Sequence, residues 1–256
     1  MMRRFALLVF ALLFTINLFA QSDATIRQQV GNSFSRITYW MDSESNSKDD
    51  SLEQSNKNFQ KLLLTYTGKY SQTLKQNFDG IDGLKVVTSA DGMLRIYSWD
   101  TGTGGTMHFF KDVVQYQSGK QTRSLTLNNF NREGETGYSY EAIHTLKTRN
   151  KNYYLINYKG IYSSKDIGEG IRIFSIDNGG LNTEVKLIKT QSGMHNSINY
   201  SYDFFSIVNW KVRPSILFNA GTNEIKIPLV NADQQVTKNF ITYKFNGKYF
   251  EKTGLK

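Results

Sequence analysis

The chain has 256 residues, with 31 Lys or Arg against 22 Asp or Glu and no cysteine. The missing thiols exclude a disulfide framework, Cys-ligated metal, thiol catalysis and a lipidated-cysteine anchor, so stability must come from a packed core. The net charge of +9 is scattered, with no run of five basic residues. That pattern argues against nucleic-acid binding and for a solvated basic surface drawn to anionic polymers.

Residues 1–20 read MMRRFALLVFALLFTINLFA: Arg3 and Arg4, an apolar stretch from Phe5 to Phe14, then a small residue, Ala20, before Gln21. This is the layout of a cleaved secretory signal. The apolar run is nearer ten residues than twenty, and Thr15 and Asn17 break its continuation toward Ala20, so it is short for a membrane anchor. Cleavage after Ala20 would leave 236 residues with 29 basic against 22 acidic side chains, a net +7. The expected location is therefore secreted or periplasmic, without a stable membrane anchor.

A helical segment is predicted over 21–80. Ile26, Val30, Phe34, Ile37 and Met41 recur at steps of three and four, with Ser22 or Asp23 as N-cap. DSESNSKDD, residues 42–50, reads as a polar linker. Ser51 and Gln54 then match a capping box ahead of Phe59, Leu62, Leu63 and Tyr66 in a second helix.

Over 81–256 the period changes to two, and a β-rich domain is predicted. KVVTSADGMLRIYSW folds back at Ala90-Asp91-Gly92; NYYLINYKGIY, GIRIFSID and EVKLIKT come next as strands. Two further hairpins pivot on Gly221 and on Asn246-Gly247. Residues 94–102, LRIYSWDTG, are echoed 77 residues later by IRIFSIDNG at 171–179, about twice the ~40-residue spacing of propeller blades. The fold class expected is mainly β with a short α-helical N-terminal segment, β-propeller-like, with a β-sandwich as the alternative.

Strand alternation puts Leu94, Ile96 and Ser98 on one face and Arg95, Tyr97 and Trp99 on the other. Both faces are largely apolar in both copies, which suits strands covered on both sides. Arg95 can be a buried, satisfied guanidinium stacked on Tyr97 or Trp99, or a ligand-binding group beside a stacking Trp. Arg95, Tyr97, Trp99, Asp100 and His108 are accordingly the candidate ligand-binding residues. The TGTGG run precedes a strand-like segment rather than a helix, which disfavours a phosphate loop. Calcium would need more carboxylates than Asp100. Asp100 and Asp177 read better as turn residues closing strands, each bonding a nearby backbone N–H.

The three histidines, His108, His144 and His195, form no metal-ligand spacing, and no G-x-S-x-G elbow occurs. No metal and no cofactor is expected. Paired carboxylates for hydrolysis are a spatial matter, with Asp91, Asp100, Asp177 and Asp203 as candidates.

TSADGMLRIYSWDTGTGGTMHFF, together with YYLINYKGIYSS, IRIFSIDNG, RPSILFNAGTNEIKIPLV and FITYKFNGKYFE, resembles a family of uncharacterised secreted proteins from Bacteroidetes. The resemblance spans most of the chain after residue 20 and implies export. The family has no established activity, so no catalytic residue is carried over.

The leading expectation is a non-enzymatic module that binds an envelope polymer, such as a glycan, or an envelope protein, given fifteen tyrosines and 14% aromatic residues. The alternative is an extracellular hydrolase of glycan or peptide using carboxylates from separate loops. Two carboxylates sharing a pocket would favour hydrolysis, and a flat Tyr/Trp surface would favour binding. No nucleic-acid partner is expected.

Overall fold

In the computed structural model, residues 22–128, 135–206 and 215–255 are described. The secretory-signal expectation falls on residues 1–20, outside them. Helix α1, Asp23–Met41, begins at Ser22, whose hydroxyl accepts from the Thr25 N–H at 3.2 Å as an N-cap should. It buries Ile26, Val30, Phe34 and Ile37, while Met41 stays 37% exposed. Helix α2 runs Lys48–Lys69. It starts three residues before the expected capping box, so Ser51 lies inside the helix and bonds no cap. The Ser47 side chain makes no capping bond either; Asp49 and Asp50 in the first turn supply the favourable charge at that end.

Three open sheets follow among the described residues. The first is an antiparallel meander of β1 (Leu84–Thr88), β2 (Leu94–Asp100), β3 (Phe110–Ser118) and β4 (Gln121–Leu125). The second comprises β5 (Ser139–Lys147), β6 (Asn152–Ile161), β7 (Asp166–Asp177) and β11 (Ser197–Asp203), with the short β8 (Gly180–Asn182) also on β7. The third joins β9 (Ile188–Thr190), β10 (Gly193–His195), β12 (Leu217–Asn219), β13 (Glu224–Val230), β14 (Val236–Phe245) and β15 (Phe250–Leu255). All pairings are antiparallel except β15 with β9. The expected hairpins at Asp91-Gly92, Gly221 and Asn246-Gly247 all form.

Three apolar clusters show how these pieces stack. Helix residues Ile26, Phe34, Phe59 and Leu63 share a core with Tyr97, Trp99 and Val113 of the first sheet. Leu94, Ile96 and Val114, from the opposite face of that sheet, pack on Tyr140, Tyr154, Ile156 and Phe174 of the second. Leu155, Ile171 and Ile173 then face Ile188, Ile225, Tyr243 and Phe250 of the third. The order of layers is helices, first sheet, central sheet, C-terminal sheet. The helical segment shares a core with the first sheet rather than folding apart from it.

No closed barrel or propeller forms among the described residues. A ring of blades would need the outer face of the first sheet to meet another blade, and helices cover that face instead. The sequence echo is nonetheless structural. β2 and β7 are both interior strands. In each, the Arg-bearing face looks toward the N-terminal side of the stack: Tyr97 and Trp99 toward the helices, Phe174 toward the first sheet.

Candidate functional site

The aromatic face of β2 is closed to ligands. Arg95, 8% exposed, donates to the Thr73 and Gln76 carbonyls at 2.7 and 2.6 Å and to the Thr88 hydroxyl at 2.7 Å. Tyr97 donates to the Thr73 carbonyl at 2.9 Å, and burial pushes its hydroxyl up to about 12, against the lowering pull of Arg95. Trp99 sits edge-on to Phe59 at 4.8 Å and donates to the Asn56 side-chain oxygen at 2.9 Å. Asn56 in turn donates to the Leu52 and Thr101 carbonyls. Trp99 fastens α2 to the first sheet, and Arg95 and Tyr97 fasten the 73–76 segment that follows α2. Of the two readings open for these residues, buried anchor or ligand platform, their burial against the helices supports the first.

Asp100 and His108 stand at the edge. One Asp100 oxygen accepts the Gly102 N–H at 2.9 Å, the turn expected from sequence, and the other holds His108 Nδ1. The imidazole stacks on Phe110 with ring centres 6.3 Å apart. Gly102 has φ +68°, and a Cβ there would strike Met41, so the glycine is needed for both backbone and space. The pair orders the glycine loop between β2 and β3. Of the five expected ligand-binding residues, Asp100 and His108 alone come together at the surface. Asp177 departs from the Asp100 pattern: its oxygens take the side chains of Lys151 at 2.8 Å and Ser175 at 3.1–3.2 Å.

The other carboxylates named from sequence also have structural work. Asp91 accepts from Ser89, the Met93 N–H, Asn152 and Tyr154, tying the β1–β2 turn to β6. Asp203 accepts the Phe205 N–H at 2.9 Å and pairs with Lys165 at 3.3 Å.

A cleft of about 440 Å³ lies elsewhere, between β5, β6 and β7 of the central sheet and residues 215–218. Its volume falls in the ~300–1,000 Å³ range of small-molecule sites. β5, β6 and β7 supply Glu141, His144, Asn157, Lys159 and Glu169, and residues 215–218 form a wall ending in Phe218. The Asn157 amide N–H donates to the Ile216 carbonyl at 2.7 Å and fixes that wall to the floor. Asn157 Oδ1 is a buried acceptor with no hydrogen-bond partner among the described residues. His144 and Phe218 lie ring to ring at 5.6 Å, and burial lowers the imidazole pKa, favouring its neutral form.

The two glutamates are held differently. Glu141 occupies a β-bulge, where the register slips between Tyr140 and Ala142. The irregularity frees the Tyr140 N–H to bond Ser98 Oγ of the first sheet at 3.0 Å and swings Glu141 onto Lys85 and Ser139, both at 2.8 Å. Burial raises its pKa, but the hydrogen bonds from Lys85 and Ser139 and the charges of Lys85 and Lys159 outweigh it and leave the net shift downward. Glu169 accepts from Tyr200 at 3.1 Å and Tyr202 at 3.2 Å on the adjacent strand β11. Here burial wins over those bonds and over Lys159, with Glu141 adding repulsion, so its pKa is raised. The two carboxyls of the cleft are thus shifted in opposite directions, Glu141 downward and Glu169 upward.

Neither glutamate stood out in the sequence. The available signal was the GEG at 168–170, a charge between two glycines within a strand. Gly170 is glycine because a Cβ would fall 2.2 Å from the Tyr158 ring. Among the described residues no group of three or more His, Asp or Glu is placed to hold a metal ion, and no helix is long and apolar enough to cross a membrane. No protein-family model, curated protein or solved structure matches this chain.

Proposed function

We propose that the chain is an exported binding module that takes a glycan in the cleft over the central sheet. The observation that carries this reading is the composition of the cleft: carboxylates at Glu141 and Glu169, the ammonium of Lys159, and the exposed part of Phe218 in one concave site. Sugars present hydroxyl groups along their edges and C–H groups on their faces. A few convergent polar groups beside an aromatic ring satisfy both. Export rests on the reading of residues 1–20 and on the resemblance to secreted Bacteroidetes proteins.

The test is binding of the purified chain to immobilised α- and β-linked tetrasaccharides of glucose, galactose, mannose, xylose and N-acetylglucosamine. Saturable binding is expected, with Phe218→Ala weakening it about tenfold, equivalent to ~1.4 kcal/mol. Absence of binding to every member, or equal binding by Phe218→Ala, contradicts the reading. Capture of an envelope protein by the same face, with no sugar bound, would point to the other partner class.

A further inference from the structure

We infer that Asn178 is a site of spontaneous covalent modification: it deamidates to aspartate and isoaspartate, while the fold holds back the chain's other Asn-Gly pair, Asn246-Gly247. Both pairs are exposed hairpin turns, Asn178-Gly179 between β7 and β8 and Asn246-Gly247 between β14 and β15. In each, the glycine has no side chain to shield its amide nitrogen from the neighbouring carboxamide. The difference lies in what holds the asparagine. Asn246 Oδ1 accepts the Lys248 and Tyr249 N–H groups, both at 3.0 Å, and the Asn246 N–H donates to the Tyr249 carbonyl at 3.1 Å. The Asn178 side chain and the Gly179 N–H have no hydrogen-bond partner among the described residues.

Reaction requires the side chain and the backbone to rotate until Cγ meets the nitrogen of the next residue. At Asn246 that rotation breaks the two bonds to Oδ1; at Asn178 it breaks none that the described residues supply. The flanking strands sharpen the contrast. β8 has three residues, whereas β14 and β15 have ten and six, and a turn closed by so short a strand opens locally at lower cost. In the step itself, the Gly179 nitrogen gives its proton to solvent and bonds to Asn178 Cγ. The bond from Cγ to the side-chain nitrogen breaks, and that nitrogen leaves as ammonia, with a succinimide ring left behind. Water then adds to one of the two ring carbonyls and opens the ring, to aspartate or to isoaspartate. The sum is one amide and one water giving one carboxylate and one ammonium ion. The new carboxylate stands beside Asp177, which already holds Lys151 at 2.8 Å, in a notch of about 260 Å³ also lined by Asp91, Ser118 and Asn152. In isoaspartate the main chain runs through the side-chain carbon, which lengthens the turn between β7 and β8.

The test incubates the purified chain at mildly alkaline pH, folded and in urea, and follows Asn178 and Asn246 by peptide mapping with mass spectrometry. In the folded chain Asn178 should convert at least ~10-fold faster than Asn246, equivalent to ~1.4 kcal/mol in the barrier. In urea, where no turn is held, the two sites should convert at closely similar rates. Gly179→Ala supplies a second check. A Cβ at Gly179 meets nothing within 4 Å, so the turn accepts it, and its methyl group crowds the attacking nitrogen. Conversion of Asn178 should slow at least ~10-fold in that variant. Asn246 converting as fast as Asn178 in the folded chain, a difference that persists in urea, or an unchanged rate at Asn178 in Gly179→Ala would overturn the inference.

Discussion

Trp99 offers the sharpest check on the layered architecture, because its ring is the plug between the helices and the first sheet. It is 1% exposed, meets Phe59 edge-on at 4.8 Å and gives its indole N–H to Asn56. Removing a buried Trp side chain typically costs ~3–5 kcal/mol in lost transfer and cavity energy. The abandoned Asn56 oxygen would add ~1–3 kcal/mol if it found no new donor. Since the two losses share one cavity and partial relaxation, Trp99→Ala should destabilise by about 4–6 kcal/mol. At ~2–4 °C per kcal/mol for a chain of this size, the melting temperature should drop by roughly 8–24 °C. Trp99→Phe keeps a ring against Phe59 and loses the hydrogen bond and part of the volume, so a smaller drop is expected. Thermal and urea melts followed by near-UV circular dichroism measure both. An alanine variant within about 1 kcal/mol of the parent would refute the packing role and return Trp99 to the surface.

Two further expectations concern the interface between the first and central sheets. Asp112 is fully buried there, accepting the Leu127 and Asn128 N–H groups at 2.8 and 3.1 Å. Burial pushes its carboxyl up to about 7, from 3.8, despite those bonds, Tyr140 and the Arg172 charge. The folded state therefore holds a proton that the unfolded chain has lost. Its stabilisation is complete below about pH 4 and disappears as pH rises through 7, on the order of 4 kcal/mol. Urea melts from pH 4 to 8 should show that decline, and Asp112→Asn should flatten it; an unchanged slope in the variant would contradict the assignment. Gly170→Ala places a methyl against the buried Tyr158 ring. It should cost about 1–3 kcal/mol by overpacking, whereas Gly119→Ala, with open space at a turn, tests only its φ of +60°.

Much of the fold was legible because local signals were strong. The four-residue spacing from Ile26 to Phe34 and the period-two runs with Asp91-Gly92 and Asn246-Gly247 at their turns lead to the elements observed. The double-sided apolarity of LRIYSW correctly implied a strand covered on both faces. What covers it was not local information: helices on one side and the central sheet on the other are tertiary choices, and the 77-residue echo is compatible with several stackings. The second helix began early because Asp49 and Asp50 suit a first turn as well as they suit a linker.

The candidate site was legible only in its chemistry. Carboxylates from separate segments were expected, but the conspicuous ones were aspartates at turns, where side chains bond their own backbone. Glu141 and Glu169 instead sit within strands, and their place in one cleft lining depends on a bulge at Glu141 and on strand order, neither of which a linear pattern displays. The aromatic face of β2 was open to two readings for the same reason: Arg, Tyr and Trp on one side of a strand describe a ligand platform and a buried anchor equally well.

The measurement that bears most directly on the cleft as the ligand site is chemical-shift mapping of the isotope-labelled chain during titration with a tetrasaccharide it binds. Shifts confined to residues 141–144, 157–159, 169–170 and 215–218 are predicted, the segments that line the cleft. Shifts centred on Asp100 and His108, or dispersed over a face away from the central sheet, would contradict the assignment.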